Sequence, residues 1–386
     1  MSILGDIARE AILLPWIRGR EKSVLTHIAD CHTERMGGNT YACTCGHREV
    51  HYNSCRDRHC PLCQGAARAL WVKNRLSELL PVPYFHVVFT VPRELIPLAY
   101  KNQRSFYSLL FASAQNTLLA VCENPENLGG RVGGMSILHT WNQKLGYHPH
   151  VHCIVPSGGI AREGDRWIPG SSRYLVPVKR LSRVFRGKLL SGLENAINRA
   201  LLVGDERYMR SSLKKAAAKD FVVYAKPPFG GPEQVVKYLG RYTHRVGISE
   251  QRMISYSSGT VRFSYIDRKA NNARKVQSLS LQDFVRKFVL HILPKGFRKI
   301  RYFGFLGNRD REASITTVRD LIEKSGCAVP LSATELSIPV YEHLCPTCGI
   351  PMTRVLLVDE SSSDWLKNRL KRIRNIAMVK GFRSTA

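Results

Sequence analysis

The sequence predicts an α+β protein in three consecutive parts. These are a cysteine-rich module over residues 1–75, a larger domain of hairpins and helices over 76–310, and a C-terminal region over 311–386 that carries a cysteine knuckle and a basic helix. Three observations carry this reading. Six of the eleven cysteines fall between Cys31 and Cys63. Two segments in the middle of the chain run strand, turn, strand, with helical periodicity between them. Near the C-terminus Leu366, Leu370 and Ile373 form an apolar stripe ringed by Lys367, Arg369, Lys371, Arg372 and Arg374, the pattern of a helix packed by one face with a solvated basic surface.

Taken in order, Ile3 to Ile17 reads as an amphipathic helix, and Asp6, Arg9 and Glu10 within it exclude a signal peptide. Pro83 to Pro92, β-branched and aromatic between prolines, reads as a buried strand. Residues 101–122 have helical periodicity. Met135 to Trp141 and His150 to Pro156 form the first hairpin, turning through Asn142 to Gly146. Leu181 to Leu202 is a basic amphipathic helix, and Phe221 to Ala225 a short strand. A Pro- and Gly-rich loop from Lys226 to Pro232 leads into a helix from Glu233 to about Thr243, since Pro suits a first helical turn. Met253–Tyr256 and Val261–Asp267 flank Ser257-Ser258-Gly259 as a second hairpin. A helix over 281–293 ends at Pro294, and Arg298 to Leu306 is a basic, aromatic strand.

Fifty-eight Lys and Arg against thirty acidic residues give a net charge of +28. Such an excess favours a polyanionic partner, nucleic acid first. A membrane partner is not expected, because no apolar stretch approaches spanning length, and a cytoplasmic location follows. There the cysteines are metal ligands rather than disulfides.

Zinc needs four N/S ligands in a tetrahedron, and closely spaced pairs supply two from one turn. Cys60-Pro61-Leu62-Cys63 is such a turn, and Cys43-Thr44-Cys45 a tighter one. Spacing alone pairs Cys43, Cys45, Cys60 and Cys63 in one site. Cys31 and Cys55, with His32 or His59, would fill a second. Cys345-Pro346-Thr347-Cys348 is half a site, to which Cys327 or His343 could contribute, or else a turn without metal.

In the run His148-Pro149-His150-Val151-His152, alternation puts His150 and His152 on one face of a strand. Two such imidazoles can grip one divalent metal. His139, opposite residue 151 or so on the preceding strand, is the favoured third ligand. His148 has the right parity and stands in reserve, since Pro149 bends the chain beside it. Finally, Tyr238 and Tyr242 are four apart and share one face of the helix at 233–243. A phenol with pKa ~10 is a weak nucleophile, but metal and neighbouring cations such as Lys237, Arg241 and Arg245 can make it competent.

Together, His150-Val151-His152, the strand Phe85 to Pro92 and the two-tyrosine helix resemble the HUH endonucleases. The run from Asn53 to Gln64, the motif Tyr238-Leu239-Gly240-Arg241-Tyr242-Thr243-His244-Arg245, and Leu293 to Tyr302 narrow the resemblance. It is to the two-tyrosine rolling-circle transposases of the insertion sequence ninety-one family. The resemblance covers residues 20 to 310. It implies an antiparallel sheet with helices on one side, histidines on a central strand and tyrosines on an adjacent helix. It also implies cleavage and transfer of single-stranded DNA through a 5′-phosphotyrosine. Mg²⁺ or Mn²⁺ would sit at His139, His150 and His152, and Zn²⁺ in the N-terminal module. Two rivals share parts of the pattern: a replication initiator or relaxase with the same chemistry, and a zinc-dependent DNA-binding regulator without catalysis.

Overall fold

The computed structural model describes residues 2–171, 173–226, 240, 247–307, 311–331 and 343–355. Tyr238, Tyr242, most of the helix expected over 233–243 and the basic helical tail lie outside the described residues. In chain order the elements are α1 (Ile3–Ala11), α2 (Gly19–Asp30), β1 (Gly38–Ala42), β2 (Arg48–Tyr52), α3 (Gly65–Leu76), β3 (Tyr84–Thr90), α4 (Ile96–Lys101) and α5 (Gln103–Glu123). There follow β4 (Gly133–Trp141), β5 (Tyr147–Pro156), β6 (Gly158–Ile160), β7 (Trp167–Pro169), α6 (Val178–Asn198), α7 (Glu206–Ala217) and β8 (Val223–Lys226). The remainder are β9 (Met253–Ser257), β10 (Thr260–Asp267), β11 (Ala273–Ser280), α8 (Leu281–Val289), β12 (Ile300–Gly304), α9 (Arg311–Lys324) and β13 (Thr353–Val355).

The central sheet has the order β12-β4-β5-β3-β8, and every adjacent pair is antiparallel. Strand period decides its two faces. Val151, Cys153 and Val155 of β5, with Phe85, Val87 and Phe89 of β3, turn toward α5 and α6, where Phe106, Leu110, Phe185 and Leu189 complete the main core. The opposite face is divided. Met135, Ile137 and Ile154 at one end are covered by Ile315, Val318 and Ile322 of α9 and by Leu79 to Val82. The other end carries the histidines. Helices therefore pack on both faces rather than on one.

A second core joins distant parts of the chain. Leu4 and Ile7 of α1 and Val24 and Ile28 of α2 pack with Phe263 of β10 and with Phe284 and Phe288 of α8. The join begins at residue 2, whose hydroxyl caps α1 and donates to Glu250 Oε1 at 3.0 Å. The helix expected over 3–17 stops at Ala11. Its continuation is broken into turns around Pro15, which has no N–H for a helical bond.

Several elements were not legible in the pattern, and three of them show why. Strand β11, paired along its length with β10, is largely exposed and polar, so it lacks the alternation that marks a half-buried strand. Helix α7 buries only Met209, Ser212, Leu213 and Ala216. Helix α3 has no fully buried side chain among its described ones.

Candidate metal centres and active-site cavity

The β4–β5 hairpin is held by its turn. Asn142 Oδ1 accepts from the backbone N–H groups of Lys144 (3.0 Å) and Gly146 (2.8 Å), the side-chain mimic of a backbone turn. Leu145 takes a left-handed φ of 58°, a conformation tolerated because its side chain is fully buried in the second core. His291, itself fully buried, clamps the turn from α8's end, with Nδ1 3.1 Å from Thr140 Oγ1 and Nε2 3.2 Å from the Leu145 carbonyl.

That register sets His139 directly opposite His150, one residue from the position spacing suggested, and Ile137 opposite His152. One ring nitrogen from each of His139, His150 and His152 lies within 4.8 Å of the others. His148 lines the same cavity but is not in this group. The tautomers suit metal binding. His150 Nδ1 donates to the His148 carbonyl at 2.6 Å, which leaves Nε2 with the lone pair in the neutral ring. His152 Nδ1 lies 2.6 Å from His86 Nε2; when His152 donates there, its Nε2 is a bare acceptor. That atom is buried and has no hydrogen-bond partner among the described residues. His86 was the residue missed in this cluster. It lies in the quoted strand from Phe85 to Pro92, but only the β3–β5 pairing reveals its partner.

Electrostatics keep these rings neutral. Burial pushes His150 down to about 4, and burial with the nearby Lys226 does the same to His86. Burial followed by like charge on neighbouring imidazoles holds His139 and His152 far below the ordinary range. A neutral imidazole is the form that ligates. The cluster opens into a cavity of about 890 Å³ whose rim includes Lys144, Lys226 and Arg268. The one carboxylate among the described lining residues, Asp267, is paired with Lys275 at 2.8 Å, so the cavity suits a bound anion.

The cysteines assemble otherwise than their spacing implied. Cys31, Cys55, Cys60 and Cys63 form one cluster, and Cys43 and Cys45 join Cys345 and Cys348 in another. Pairing Cys43 and Cys45 with Cys60 and Cys63 is therefore corrected: the β1–β2 hairpin carries its cysteine turn away from the Cys60 knuckle. Cys55 and Cys63 have sulfurs 3.7 Å apart. That is far beyond a disulfide's roughly 2.05 Å and close to the edge of about 3.8 Å expected between thiolates on a tetrahedral zinc. Within the first cluster, hydrogen bonds from Cys31, Cys55 and Cys60 hold Cys63 far down, while Cys55 and Cys60 are pushed up, chiefly by Cys31. A cation bound among them would hold all four as thiolates.

Neither His32 nor His59 belongs to these groups. His32 Nδ1 meets the Tyr52 carbonyl at 3.2 Å. His59 is fully buried, donates from Nδ1 to Asp57 at 2.8 Å and accepts the Leu293 N–H at Nε2, at 3.0 Å. It ties the cysteine module to the chain before β12. Burial raises the Asp57 carboxyl, but hydrogen bonds from His27 and His59 outweigh it and hold this group well below the usual carboxylate range.

No helix among the described residues is long and apolar enough to cross a membrane. Residues 133–313 match a family model described as "Putative transposase", and residues 9–91 match one described as "Transposase zinc-binding domain". The chain is similar to the "Putative transposase y4qJ" of Sinorhizobium fredii (strain NBRC 101917 / NGR234), 43% identical over 349 residues, covering 85% of this chain and 87% of that protein. It is also similar to the "Transposase for insertion sequence element IS801" of Pseudomonas savastanoi pv. phaseolicola, 32% identical over 310 residues, covering 76% and 72%. No solved structure matches. Extensive identity to two transposases, a zinc-binding domain at the N-terminus and two four-thiol clusters converge, and the chain belongs to the IS91 family of transposases.

Proposed function

We propose that this transposase has an HUH-type catalytic domain that cuts and rejoins single-stranded DNA through a 5′-phosphotyrosine, in rolling-circle transposition in the cytoplasm. His139, His150 and His152 would hold a divalent ion, with Tyr238 and Tyr242 as nucleophiles and Cys31, Cys55, Cys60 and Cys63 as ligands of an N-terminal zinc. The observation that carries the reading is the convergence of three neutral imidazoles at the wall of a cationic cavity. The described residues flanking the tyrosine segment support it. Lys226, just before the segment, lines the cavity, and Gly247, just after it, lies beside Leu145 and His291 at the hairpin turn, where an added Cβ would come within 3.4 Å of both.

The chemistry follows from the donor set. A Mg²⁺ or Mn²⁺ ion, the latter favoured by all-imidazole ligation, would polarise the scissile phosphate. His150 is oriented for this by the His148 carbonyl and His152 by His86. Lys144, Lys226 and Arg268 offset the charge of the DNA backbone. A phenolic oxygen attacks phosphorus, the bond to O3′ breaks, and the strand leaves with a free 3′-OH while the 5′ phosphate stays on tyrosine. One phosphoester replaces another, so reversal needs no ATP. A second phenol allows a second cut while the first end is held.

The test uses a 3′-labelled single-stranded oligonucleotide from the element's own terminus, with Mg²⁺ or Mn²⁺. A labelled protein–DNA adduct is expected on a denaturing gel, surviving in Tyr238→Phe or Tyr242→Phe and absent from the double variant. Tight binding with no adduct under either metal would overturn the proposal in favour of a non-catalytic DNA-binding protein.

A further inference from the structure

The second thiol cluster lies outside the chemistry just described and joins residues about three hundred positions apart. Cys43 and Cys45 sit at the turn between β1 and β2; Cys345 and Cys348 sit in the segment before β13. All four sulfurs are within 4.8 Å of one another, with Cys43 to Cys348 at 3.3 Å and Cys45 to Cys345 at 3.6 Å. We infer that these four cysteines form a second zinc site, which fastens the C-terminal knuckle to the N-terminal β1–β2 hairpin.

Both halves have the backbone of a metal knuckle. In the first, the Gly46 N–H donates to the Cys43 carbonyl at 3.0 Å and the Cys43 N–H to the His47 carbonyl at 2.9 Å. In the second, the Gly349 N–H donates to the Cys345 carbonyl at 2.8 Å and the Cys345 N–H to the Ile350 carbonyl at 2.9 Å. Each turn closes through a glycine of positive φ, 89° at Gly46 and 72° at Gly349, a conformation that L side chains rarely adopt. Two like turns thus present two thiols each, face to face. Strand β13 then pairs antiparallel with β1, setting Thr40 opposite Val355 and Ala42 opposite Thr353.

Among the described residues, apolar packing at this junction is slight. The buried residues around it are Cys43, Cys345 and Met352, with Tyr41 packed against them, and all three residues of β13 are exposed. A module with so small a core needs a staple. Four soft ligands in a closed set match zinc. His343 and His51 lie close by, with the His343 ring tilted against Tyr41 at 4.0 Å and against His51 at 4.2 Å between centroids, but neither belongs to the four-sulfur group. Cys327 donates to the Ser325 carbonyl at 3.5 Å.

The test is the zinc content of the purified full-length protein, by elemental analysis against amino-acid analysis. Two ions per chain are expected in the wild type. Cys43→Ser and Cys348→Ala should each leave one, and the double variant also one, because both cysteines serve the same ion. Cys348→His, which restores a zinc ligand, should return the count to two, and Cys327→Ser should not change it. Limited proteolysis supplies a second readout: Cys43→Ser should expose the segment around residues 343–355 to cleavage although it lies far away in sequence. One zinc in the wild type would overturn the site. So would Cys43→Ser and Cys348→Ala behaving differently, or iron in place of zinc, seen as the visible absorption of a ferric tetrathiolate. None of these counts depends on DNA cleavage, so failure here is distinguishable from failure of the catalytic reading.

Discussion

The histidine cluster and the cysteine clusters each bring together side chains that could hold a metal ion, yet they are built in opposite ways. The three imidazoles come from a single hairpin of rigid strands, fourteen residues from His139 to His152, and open into a large cavity. The thiols come from turns, four to a cluster, with no ligand position left for substrate. An open set of three suits chemistry and a closed set of four suits structure. Packing differs in the same sense. The histidines stand on a sheet already held by the main core, whereas the second cysteine cluster has almost no core of its own among the described residues. Metal loss should therefore remove activity at one region and folding at the other.

The sharpest test of that contrast is Cys60→Ser. Cys60 is only 1% exposed, and structural zinc in small modules contributes on the order of 10 kcal/mol of apparent folding free energy. The variant should lose one zinc and become protease-sensitive over roughly residues 31–63, while the central sheet keeps its protection in hydrogen exchange. Retention of zinc and of a wild-type cleavage pattern would place Cys60 in an ordinary apolar contact.

His150→Ala should act the other way. Removing one of the three proposed ligands is expected to slow adduct formation on the order of 10³-fold, equivalent to about 4 kcal/mol. Its thermal midpoint in metal-free buffer should stay within a few degrees of the wild type. If the midpoint collapses instead, the histidine hairpin is a structural site too, and the contrast fails.

The smallest effect concerns His291, buried beside the hairpin turn but outside the cluster. Burial pushes its pKa down to about 4, although its bond to the Leu145 carbonyl opposes this. The unfolded chain, titrating near 6.5, binds the proton first. Stability from this group is thus complete above about pH 6.5 and is lost as pH falls toward 4, by about 3 kcal/mol at pH 4. Thermal melts of His291→Gln between pH 7 and 4 should show a correspondingly shallower decline. An unchanged slope would mean that His291 is not buried neutral.

Local order made much of this legible. The β4–β5 hairpin could be read because alternation, an Asn-Gly bounded turn and three histidines lie within one short segment, and strand period alone orients His150 and His152. His86 escaped notice because its partner His152 is sixty-six residues away and reached only through β3–β5 pairing. Likewise β11 has no apolar alternation and exists as a strand through its hydrogen bonds to β10.

The residues themselves determined the kinds of chemistry present: thiols in knuckles, imidazoles on a strand, two phenols at helical spacing and an excess of positive charge. The first three are local properties, set by neighbours within a turn, a strand or a helix, and the charge is a sum over the whole chain. Which thiols share a metal was decided by tertiary structure alone. A tetrahedral site asks only that four sulfurs meet, so the knuckle at Cys60 closes on Cys31 and Cys55, while the turn at Cys43 waits for Cys345 and Cys348 from the far end of the chain.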